Sequence, residues 1–297
     1  MQYLDRFELA SADDEDGYVL SFPHKLEMSC YSGNVYPFKI FPQKGLKSLD
    51  FAPITLFYGG NGSGKSTLLN VIAEKLELSR TSPANLTPYY KDYLDFCRYD
   101  LTFGKHVPTE SAIITSDDVF DFLLDVRALN EGVDRRREEL FDEYDRINSY
   151  RETHGESFRM RSLEDYEELK RHNEGRSRSK NQYTKRRLPQ NLSGKSNGES
   201  AFAYFTSRIR EDALYLLDEP ENSLSAKLQI ELAKFIEDSV RFYRCQFIIS
   251  SHSPFLLSLK GARVYDLDAS PACEREWTEL ENIRTYHDFF ERHREEF

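Results

Sequence analysis

Three short segments combine residue types that can bind phosphate groups and activate water. The first is the glycine-rich stretch GGNGSGKST at 59–67, which fits the pattern G-x-x-x-x-G-K-[ST] between an expected strand and an expected helix. Glycines let such a loop turn its backbone N–H groups toward phosphate, a lysine adds positive charge, and a serine hydroxyl can bind Mg²⁺. The pattern therefore predicts a phosphate-binding loop made of Gly59, Gly60, Asn61, Gly62, Ser63, Gly64, Lys65, Ser66 and Thr67.

The second segment is the apolar run ALYLLDEPENSLS at 213–225, which ends in two adjacent acids, Asp218 and Glu219. Successive side chains of a strand point to opposite sides. One carboxylate at the end of this strand can therefore face a bound Mg²⁺, while the next turns toward an attacking water.

The third segment is QFIISSHSPFLL at 246–257, in which an apolar strand runs into His252. Ligands of open α/β sheets bind at the carboxyl ends of the strands. We therefore expect His252 to lie near the phosphate loop and the two acids.

The elements that must carry these residues follow from the hydrophobic pattern. Apolar runs of strand length alternate with helical stretches, which predicts an α/β fold with a mostly parallel sheet and helices on its faces. These runs lie at 52–58, 111–115, 213–217, 246–249 and 262–267. Three earlier runs predict a β-rich start at 18–22, 25–30 and 35–41.

The middle of the chain differs in composition, because charged residues become dense between about 118 and 190. Apolar residues at helical spacing predict two amphipathic helices interrupted near 154–156, and hence a helical insertion in the α/β core. With 15 to 20 residues each, these helices would reach only about 30 Å. The apolar positions are Leu140, Tyr144 and Ile147, then Leu163, Tyr166 and Leu169.

Charge is unevenly placed along the chain. The 40 Lys+Arg and 51 Asp+Glu give a formal net charge of −11, which argues against a protein that simply coats nucleic acid. The stretch 171–190 holds seven basic residues and one acid, so it carries +6 and leaves −17 for the rest. This stretch could contact DNA, steer nucleotide phosphates or an acidic partner, or be a solvated loop.

The sequence also bounds the compartment. Four scattered cysteines without a CxxC pair, and a first segment without the order of a signal peptide, predict a reduced cytoplasmic location. No apolar run approaches the roughly 20 residues of a membrane helix, so we expect no membrane association.

In this order, GGNGSGKST, LLDEPEN and SSHSP, with SGKSNGES at 193–200 before the acidic strand, resemble the ATP-binding-cassette (ABC) ATPase superfamily. The similarity is to the soluble branch, with the structural-maintenance-of-chromosomes (SMC), RecF and overcoming-lysogenisation-defect ATPases, and it covers essentially the whole chain. It implies a single ABC-type domain with a P-loop NTPase core, an N-terminal antiparallel β subdomain and an inserted helical subdomain. The expected parts are 1–50 (antiparallel β), 51–117 (phosphate loop), 118–200 (helical insertion with signature) and 201–297 (acidic strand and histidine).

The resemblance also implies roles for individual residues. Lys65 would hold the β- and γ-phosphates of ATP, and Ser66 and Asp218 would hold Mg²⁺. Glu219 would polarise the attacking water, and His252 would contact the γ-phosphate.

Two such domains face each other in this superfamily, and the signature of one closes over the nucleotide of the other. The resemblance therefore implies a homodimer held together by ATP, with Ser196 and Gly198 as signature residues. A second register, through Leu192, Ser193 and Gly194, is also open.

Three positions depart from the family pattern or stay unassigned. Where transporter-type domains have a glutamine that touches Mg²⁺, this chain has Ser-Asp-Asp at 116–118, so Asp117 or Asp118 could take that place. Ser225 stands where many relatives have aspartate. The candidates for stacking on adenine are Tyr36, Phe38 and Phe41.

Two functions of different classes follow from these observations. The first is Mg²⁺-dependent ATP hydrolysis that drives dimerisation and regulates a partner effector, or acts in DNA maintenance or phage defence. The alternative is a nucleotide-gated binding module for a nuclease or toxin, with little turnover. An ABC transporter cassette is a less favoured third reading, because the charged insertion and Ser-Asp-Asp favour the soluble branch.

Overall fold

The computed structural model describes residues 1–20, 35–84, 86–154, 179–185 and 196–297. The chain divides into two compact units. One unit combines Met1–Phe120 with Asn197–Phe297, and the other is Asp121–Ser196. The segments 59–67, 213–225 and 246–257, which we call the chemical segments, all belong to the first unit.

Nine strands form two sheets in the described part of the chain. They are β1 Leu4–Glu8, β2 Ser48–Asp50, β3 Ile54–Tyr58, β4 Arg98–Leu101, β5 Ala112–Ile114, β6 Leu214–Asp218, β7 Gln246–Ser250, β8 Arg263–Asp266 and β9 Cys273–Glu274. The larger sheet has the order β5-β6-β7-β3-β8-β9 and is parallel except for β9. The predicted α/β fold with a mostly parallel sheet is thus confirmed.

The strands β3, β6 and β7 lie at the centre of this sheet, and every residue in them is buried. Continuous apolar runs are typical of parallel strands covered on both faces, which explains why these three strands were predicted from the sequence. The three strands are neighbours, so their carboxyl ends meet at one edge. That edge carries the chemical segments.

The helices lie between the strands. Their bounds are α1 Ala12–Leu20, α2 Lys65–Lys75, α3 Tyr90–Phe96, α4 Ser116–His154, α5 Lys180–Lys185, α6 Asn197–Arg208, α7 Ala226–Phe242, α8 Pro254–Leu257 and α9 Glu281–Arg292. Helix α2 packs against β5, β6 and β7, so the helix that follows the phosphate loop rests on the strands that carry the acids and the histidine.

A second, antiparallel sheet has the order β2-β1-β4. The side chain of Gln246, fully buried at the start of β7, joins the two sheets. Its Oε1 accepts hydrogen bonds from the backbone N–H groups of Tyr3 (2.8 Å) and Leu4 (2.9 Å). Its Nε2 donates to the carbonyl oxygens of Leu4 (2.8 Å) and Ala52 (3.1 Å).

The β-rich start differs from the sequence prediction. Residues 18–20 end helix α1, and 35–41 form a turn rather than a strand, while 25–30 lie outside the described residues. The turn buries Phe38 and Phe41 in the core beside Tyr93. An apolar run predicts burial but not the backbone conformation, and here Phe38 and Phe41 are buried in the core from a turn.

The helical insertion also departs from the prediction in one respect. Helix α4 is a single helix of 39 residues, so its length is about 58 Å at 1.5 Å per residue and not the predicted reach of about 30 Å. The second predicted helix falls within 155–178, outside the described residues. Within this unit Lys180 pairs with Asp145 (2.6 Å) and lies 4.8 Å from the ring centre of Phe141.

In the described ranges, no helix combines the length and the apolar character needed to cross a membrane.

Candidate functional site

The phosphate loop connects β3 to α2 through residues 59–64. Gly64 has a φ of 95°, and a Cβ there would lie 3.3 Å from a methyl carbon of Ile40. At Gly59, with φ 155°, a Cβ would lie 2.6 Å from the hydroxyl of Ser63. The positive φ disfavours a side chain at both positions, and at Gly59 a Cβ would also clash with Ser63, so both positions favour glycine.

Lys65, the first residue of α2, is 4% exposed and folds back over this loop. Its ammonium donates hydrogen bonds to the carbonyl oxygens of Gly59 (2.6 Å) and Gly60 (3.3 Å). The same ammonium lies 2.9 Å from Nε2 of His252 and 3.4 Å from Oε1 of Glu219. Lys65 is therefore the point where the three chemical segments meet.

Asp218 ends β6 and faces the start of α2. Its Oδ1 accepts hydrogen bonds from the hydroxyls of Ser66 (3.1 Å) and Ser250. Burial raises the pKa of Asp218, although these two hydroxyls and nearby Lys65 act in the opposite direction. The carboxyl group is thus held by neutral donors at a place where a bound cation would favour its ionised form.

Glu219 directly follows the strand and turns the chain in the left-handed region, with φ 47° and ψ 54°. Its backbone N–H is held by the carbonyl oxygen (3.1 Å) and the hydroxyl (3.0 Å) of Ser250. Its Oε2 accepts a hydrogen bond from the Asn222 amide at 3.0 Å. Burial alone would raise the pKa of Glu219, but Asn222, Lys65 and His252 outweigh it and hold the pKa below its ordinary range.

His252 lies two residues beyond β7, and its ring is partly buried. Nε2 is 2.9 Å from the Lys65 ammonium and 3.2 Å from Oε1 of Glu219. With its proton on Nε2 the ring donates a hydrogen bond to Glu219, whereas with its proton on Nδ1 the Nε2 atom accepts one from the Lys65 ammonium, which can only donate. In the second tautomer Lys65 links the histidine to the carboxylate.

The residues present fit a nucleotide with Mg²⁺. The hydroxyl of Ser63, in the loop, is buried and has no hydrogen-bond partner within the described residues. The first turn of a helix also leaves its N–H groups without intrahelical partners. No cluster of three or more His, Cys, Asp or Glu suitable for a metal occurs among the described residues. A metal bound by Ser66 and Asp218 would take its other ligands from phosphate and water, as Mg²⁺ commonly does.

The proposed signature residues lie at the start of α6. Ser196 precedes this helix, and Gly198 is in its first turn. A Cβ on Gly198 would lie 3.3 Å from the carbonyl oxygen of Ser223 and 3.0 Å from a methyl carbon of Leu228. Gly198 thus packs closely against the turn that follows Glu219. The second register, Leu192, Ser193 and Gly194, lies outside the described residues.

Asp118 forms a helix cap, which is not the role considered from the sequence. Its Oδ2 accepts hydrogen bonds from the backbone N–H (2.7 Å) and hydroxyl (2.9 Å) of Thr115, and its Oδ1 accepts one from the N–H of Ser82 (2.7 Å). The Asp118 N–H in turn donates to the Thr115 hydroxyl at 3.3 Å, which completes a capping box. Both carboxylate oxygens are therefore engaged, and Asp117 is exposed.

The three adenine-stacking candidates separate clearly by burial. Phe38 is 3% exposed and Phe41 is fully buried, so both are core residues and unavailable to a base. Tyr36 is partly buried, and its hydroxyl donates to Oγ1 of Thr67 at 3.2 Å. Only Tyr36 of the three lies at the phosphate loop with partial exposure.

Sequence reasoning missed three residues that shape the site. The Ser250 hydroxyl donates a hydrogen bond to Oδ1 of Asp218 and accepts one from the backbone N–H of Glu219. Asp268 accepts a hydrogen bond from the N–H of Gly60 at 2.6 Å. Glu221 bonds to the segment around His252. The sequence signal for Glu221 was its place two residues after Glu219, but its partners lie 30 residues further on and become neighbours only through the pairing of β6 with β7.

Comparison with solved structures gives distant similarities. The Smc head domain of Pyrococcus furiosus, with an extended coiled coil and bound to the C-terminal domain of ScpA, has a TM-score of 0.45 and 13% identity, covering 99% of this chain and 100% of that one. The SMC head domain from Thermotoga maritima has a TM-score of 0.40 and 15% identity, covering 93% and 99%. No curated protein matches the chain.

The family assignment comes from the sequence of the chain itself. A family model described as "AAA domain, putative AbiEii toxin, Type IV TA system" matches residues 104–258. The match takes in the capped start of α4, the acidic strand with Asp218 and Glu219, and the segment with His252. It covers just over half of the 297 residues, and the chain belongs to this AAA family.

Proposed function

We propose that the chain is a Mg²⁺-dependent ATPase that hydrolyses ATP to ADP and phosphate. The observation that carries this proposal is the convergence of Lys65, Glu219 and His252, whose polar side-chain atoms lie within 2.9 to 3.4 Å of one another. A cation, an anionic base and an imidazole at the end of a phosphate loop supply the positioning and charge stabilisation that phosphoryl transfer needs.

Each side chain has a distinct task in this proposal. Lys65 neutralises charge on the β- and γ-phosphates. Glu219 polarises the attacking water, and its lowered pKa keeps it ionised, so that it accepts a hydrogen bond from that water. His252 contacts the γ-phosphate and is oriented by its neighbours. These roles require in-line placement of the water, which the rigid strand ends favour.

Ser66 and Asp218 are the residues that would hold Mg²⁺. The hydroxyl oxygen of Ser66, at the start of α2, lies 3.1 Å from Oδ1 of Asp218, at the end of β6. The metal would supply neutralisation of charge on the phosphate oxygens.

The central test is the Glu219→Gln variant. We expect ATP binding to remain and hydrolysis to fall by about 100-fold or more, since the amide lacks the negative charge that polarises water. Lys65→Ala is the matched comparison, and it should weaken ATP binding itself. Binding is measured with fluorescent ATP and hydrolysis by phosphate release. Hydrolysis by Glu219→Gln at the wild-type rate would remove Glu219 from the proposed mechanism.

We also propose that ATP joins two copies of the chain, with Ser196 and Gly198 of one copy over the nucleotide of the other. The close packing of Gly198 on the turn after Glu219 supports this, because it links the signature helix α6 to the acids. Mass measured in solution on Glu219→Gln should double with ATP and Mg²⁺ and should stay that of a monomer without them. A monomer in both conditions contradicts the dimer.

The dimer is proposed to regulate a partner effector, in genome maintenance or phage defence, from the cytoplasm. The description of the matched family refers to a toxin–antitoxin system, which supports a paired partner protein. Co-expression with the product of a neighbouring gene should give a complex whose stability changes with ATP. Complex formation with ATP bound but no turnover by the wild type would favour the nucleotide-gated binding module instead.

A further inference from the structure

A third acid, Glu221, lies beneath the segment that carries His252. It belongs to the 3-10 turn Pro220–Ser223 and is 9% exposed. We name this turn, together with Glu219 that precedes it, the acidic turn. We name residues 251–253 the switch loop. A single oxygen of Glu221, Oε1, accepts three hydrogen bonds from this loop: from Ser251 Oγ (2.8 Å), His252 N (2.6 Å) and Ser253 N (3.1 Å).

These bonds fix the switch loop directly after the residue at which the hydrogen-bonded pairing of the sheet ends. The pairing of β3 with β7 ends at Ser250, and the Ser251 N–H makes a last bond to the carbonyl oxygen of Phe57 (3.1 Å). Beyond it the backbone N–H groups of His252 and Ser253 donate to Glu221. The backbone position of His252 is therefore set by a side chain from the acidic turn.

The other end of the loop is fixed from the same side. The hydroxyl of Ser253 donates to Oε1 of Gln229 at 2.7 Å. The Nε2 of Gln229 donates in turn to the carbonyl oxygen of Leu224 at 2.8 Å, immediately after the acidic turn. Glu221 and Gln229 thus attach the switch loop to the turn that carries Glu219.

Burial of the Glu221 carboxyl group at this position costs free energy. Burial raises its pKa, although the donors of the switch loop act in the opposite direction. Its second oxygen, Oε2, has no hydrogen-bond partner among the described residues, and an unpaired buried polar atom costs about 1–3 kcal/mol. The three hydrogen bonds that Oε1 accepts offset this cost, and an apolar side chain here would leave all three donors of the switch loop unpaired.

We propose that Glu221 is a positioning residue, which ties the turn carrying Glu219 to the loop carrying His252 and keeps these two groups in register. The inference rests on the proposed ATPase function. In mechanical terms, a shift of the acidic turn moves the backbone of His252 with it, so the water-polarising group and the phosphate-contacting group act together.

The test compares Glu221→Ala with Glu221→Gln. The alanine variant removes all three bonds, and we expect kcat to fall by about 100-fold, since a misplacement of about 1 Å has effects of this size. KM for ATP should be unchanged, because Lys65 and the phosphate loop keep their contacts. The glutamine variant presents a carbonyl oxygen that accepts the same three bonds, so it should restore kcat. Glu231→Ala, which removes an exposed acid from α7, is the matched control.

A second measurement separates positioning from general loss of structure. In a His252→Ala background, adding Glu221→Ala should cause a clearly smaller further loss of kcat than it does in the wild type, because one of the two groups that Glu221 keeps in register is already gone. An equal loss in both backgrounds, or a glutamine variant as slow as the alanine variant, would overturn the proposal.

The ring signals of His252 in NMR spectra test the contact without hydrolysis. They should shift in Glu221→Ala and stay in place in Glu221→Gln and Glu231→Ala. If the wild type does not hydrolyse ATP, the proposed function fails while this shift still supports the positioning contact. An unchanged His252 signal in Glu221→Ala overturns the contact, even in an active enzyme.

Discussion

Glu219 occupies a backbone conformation that few residues with a side chain adopt. In the left-handed region, a Cβ costs roughly 1–2 kcal/mol relative to glycine. The structure accepts this strain at Glu219 and fixes the turn with two hydrogen bonds from its N–H to Ser250. Strained residues held by their surroundings are typical of functional sites.

This strain leads to a stability prediction at one residue. Glu219→Gly and Glu219→Ala both remove the carboxylate, so both should hydrolyse ATP about 100-fold or more slowly than the wild type. Only glycine relieves the left-handed conformation, and we expect its variant to be more stable than the alanine variant by roughly 1 kcal/mol. Thermal unfolding of the two variants at one pH measures this difference. Equal unfolding temperatures would show that Glu219 is unstrained.

Glu15 predicts a pH dependence. It is 1% exposed, one oxygen accepts a hydrogen bond from the Lys39 N–H, and the other has no partner within the described residues. Burial raises its pKa from 4.5 to about 7. Since the folded state binds this proton more tightly than the unfolded state, Glu15 favours the folded state fully below pH 4.5, and this contribution is lost as the pH rises through about 7.

The test of this effect uses Glu15→Gln, which keeps an acceptor for Lys39 but cannot ionise. Between pH 5 and 8 the wild type should lose stability relative to this variant, by at most about 1.4 kcal/mol per pH unit. Urea unfolding at several pH values measures both. Parallel pH profiles for the two proteins would exclude an ionising Glu15.

At the scale of single residues, the sequence predicted those whose chemistry is written into a local motif. Lys65, Asp218 and Glu219 each stand in a short pattern with a known physical purpose. Glu221, Ser250 and Asp268 act through partners far along the chain, and no local pattern reveals such a partner. Asp118 is the opposite case. It stands in the sequence where transporter-type domains have a glutamine that touches Mg²⁺, but in the structure its carboxylate caps the start of helix α4.

At the scale of elements, helix α4 begins with the capping box of Thr115 and Asp118. Loss of a cap typically costs about 1 kcal/mol, and Asp118→Ala also leaves the N–H of Ser82 unpaired. We therefore expect Asp118→Ala to lower stability by roughly 1–2 kcal/mol and to leave the Mg²⁺ dependence of ATP hydrolysis unchanged. Asp117→Ala, an exposed neighbour, should change neither. A shifted Mg²⁺ requirement in Asp118→Ala would return Asp118 to the metal site.

Elements were predictable where one physical signal dominated. The central strands are long apolar runs between turn residues, and five predicted strands match β3, β5, β6, β7 and β8. The segment 35–41 is just as apolar yet forms a turn, because Phe38 and Phe41 reach the core from there. For α4, the dense charge hid where the helix begins, and so its length was underestimated.

At the scale of the whole molecule, Gln246 joins the two sheets of the larger unit with four hydrogen bonds to backbone groups. Replacing it by leucine would leave those buried groups unpaired. We expect Gln246→Leu to destabilise the fold by roughly 3 kcal/mol or more, since each such group costs about 1–3 kcal/mol. Gln182→Leu, at an exposed position of α5, is the control, and chemical denaturation measures both. A small effect would mean that water replaces the amide.

Charge was the feature of the whole chain that sequence described least completely. The +6 stretch at 171–190 suggested an anionic partner, yet Lys180 within it is paired with Asp145 and lies on the ring of Phe141. A count of charges cannot tell which are already neutralised inside the fold. Five of the seven basic residues lie outside the described ranges, so DNA binding stays a prediction from the sequence.

The strand order has a consequence for how the protein is made. The strand before the phosphate loop, β3, pairs with β7 and β8, and Ile54 meets Phe247, which is 193 residues further along the chain. At 5 to 20 residues per second, a ribosome needs roughly 10 to 40 s to make that partner. The phosphate loop is therefore synthesised early and assembled late. During that interval β3 is an apolar strand with two unpaired edges, so we expect a chain arrested before β7 to depend on chaperones and to lack nucleotide affinity.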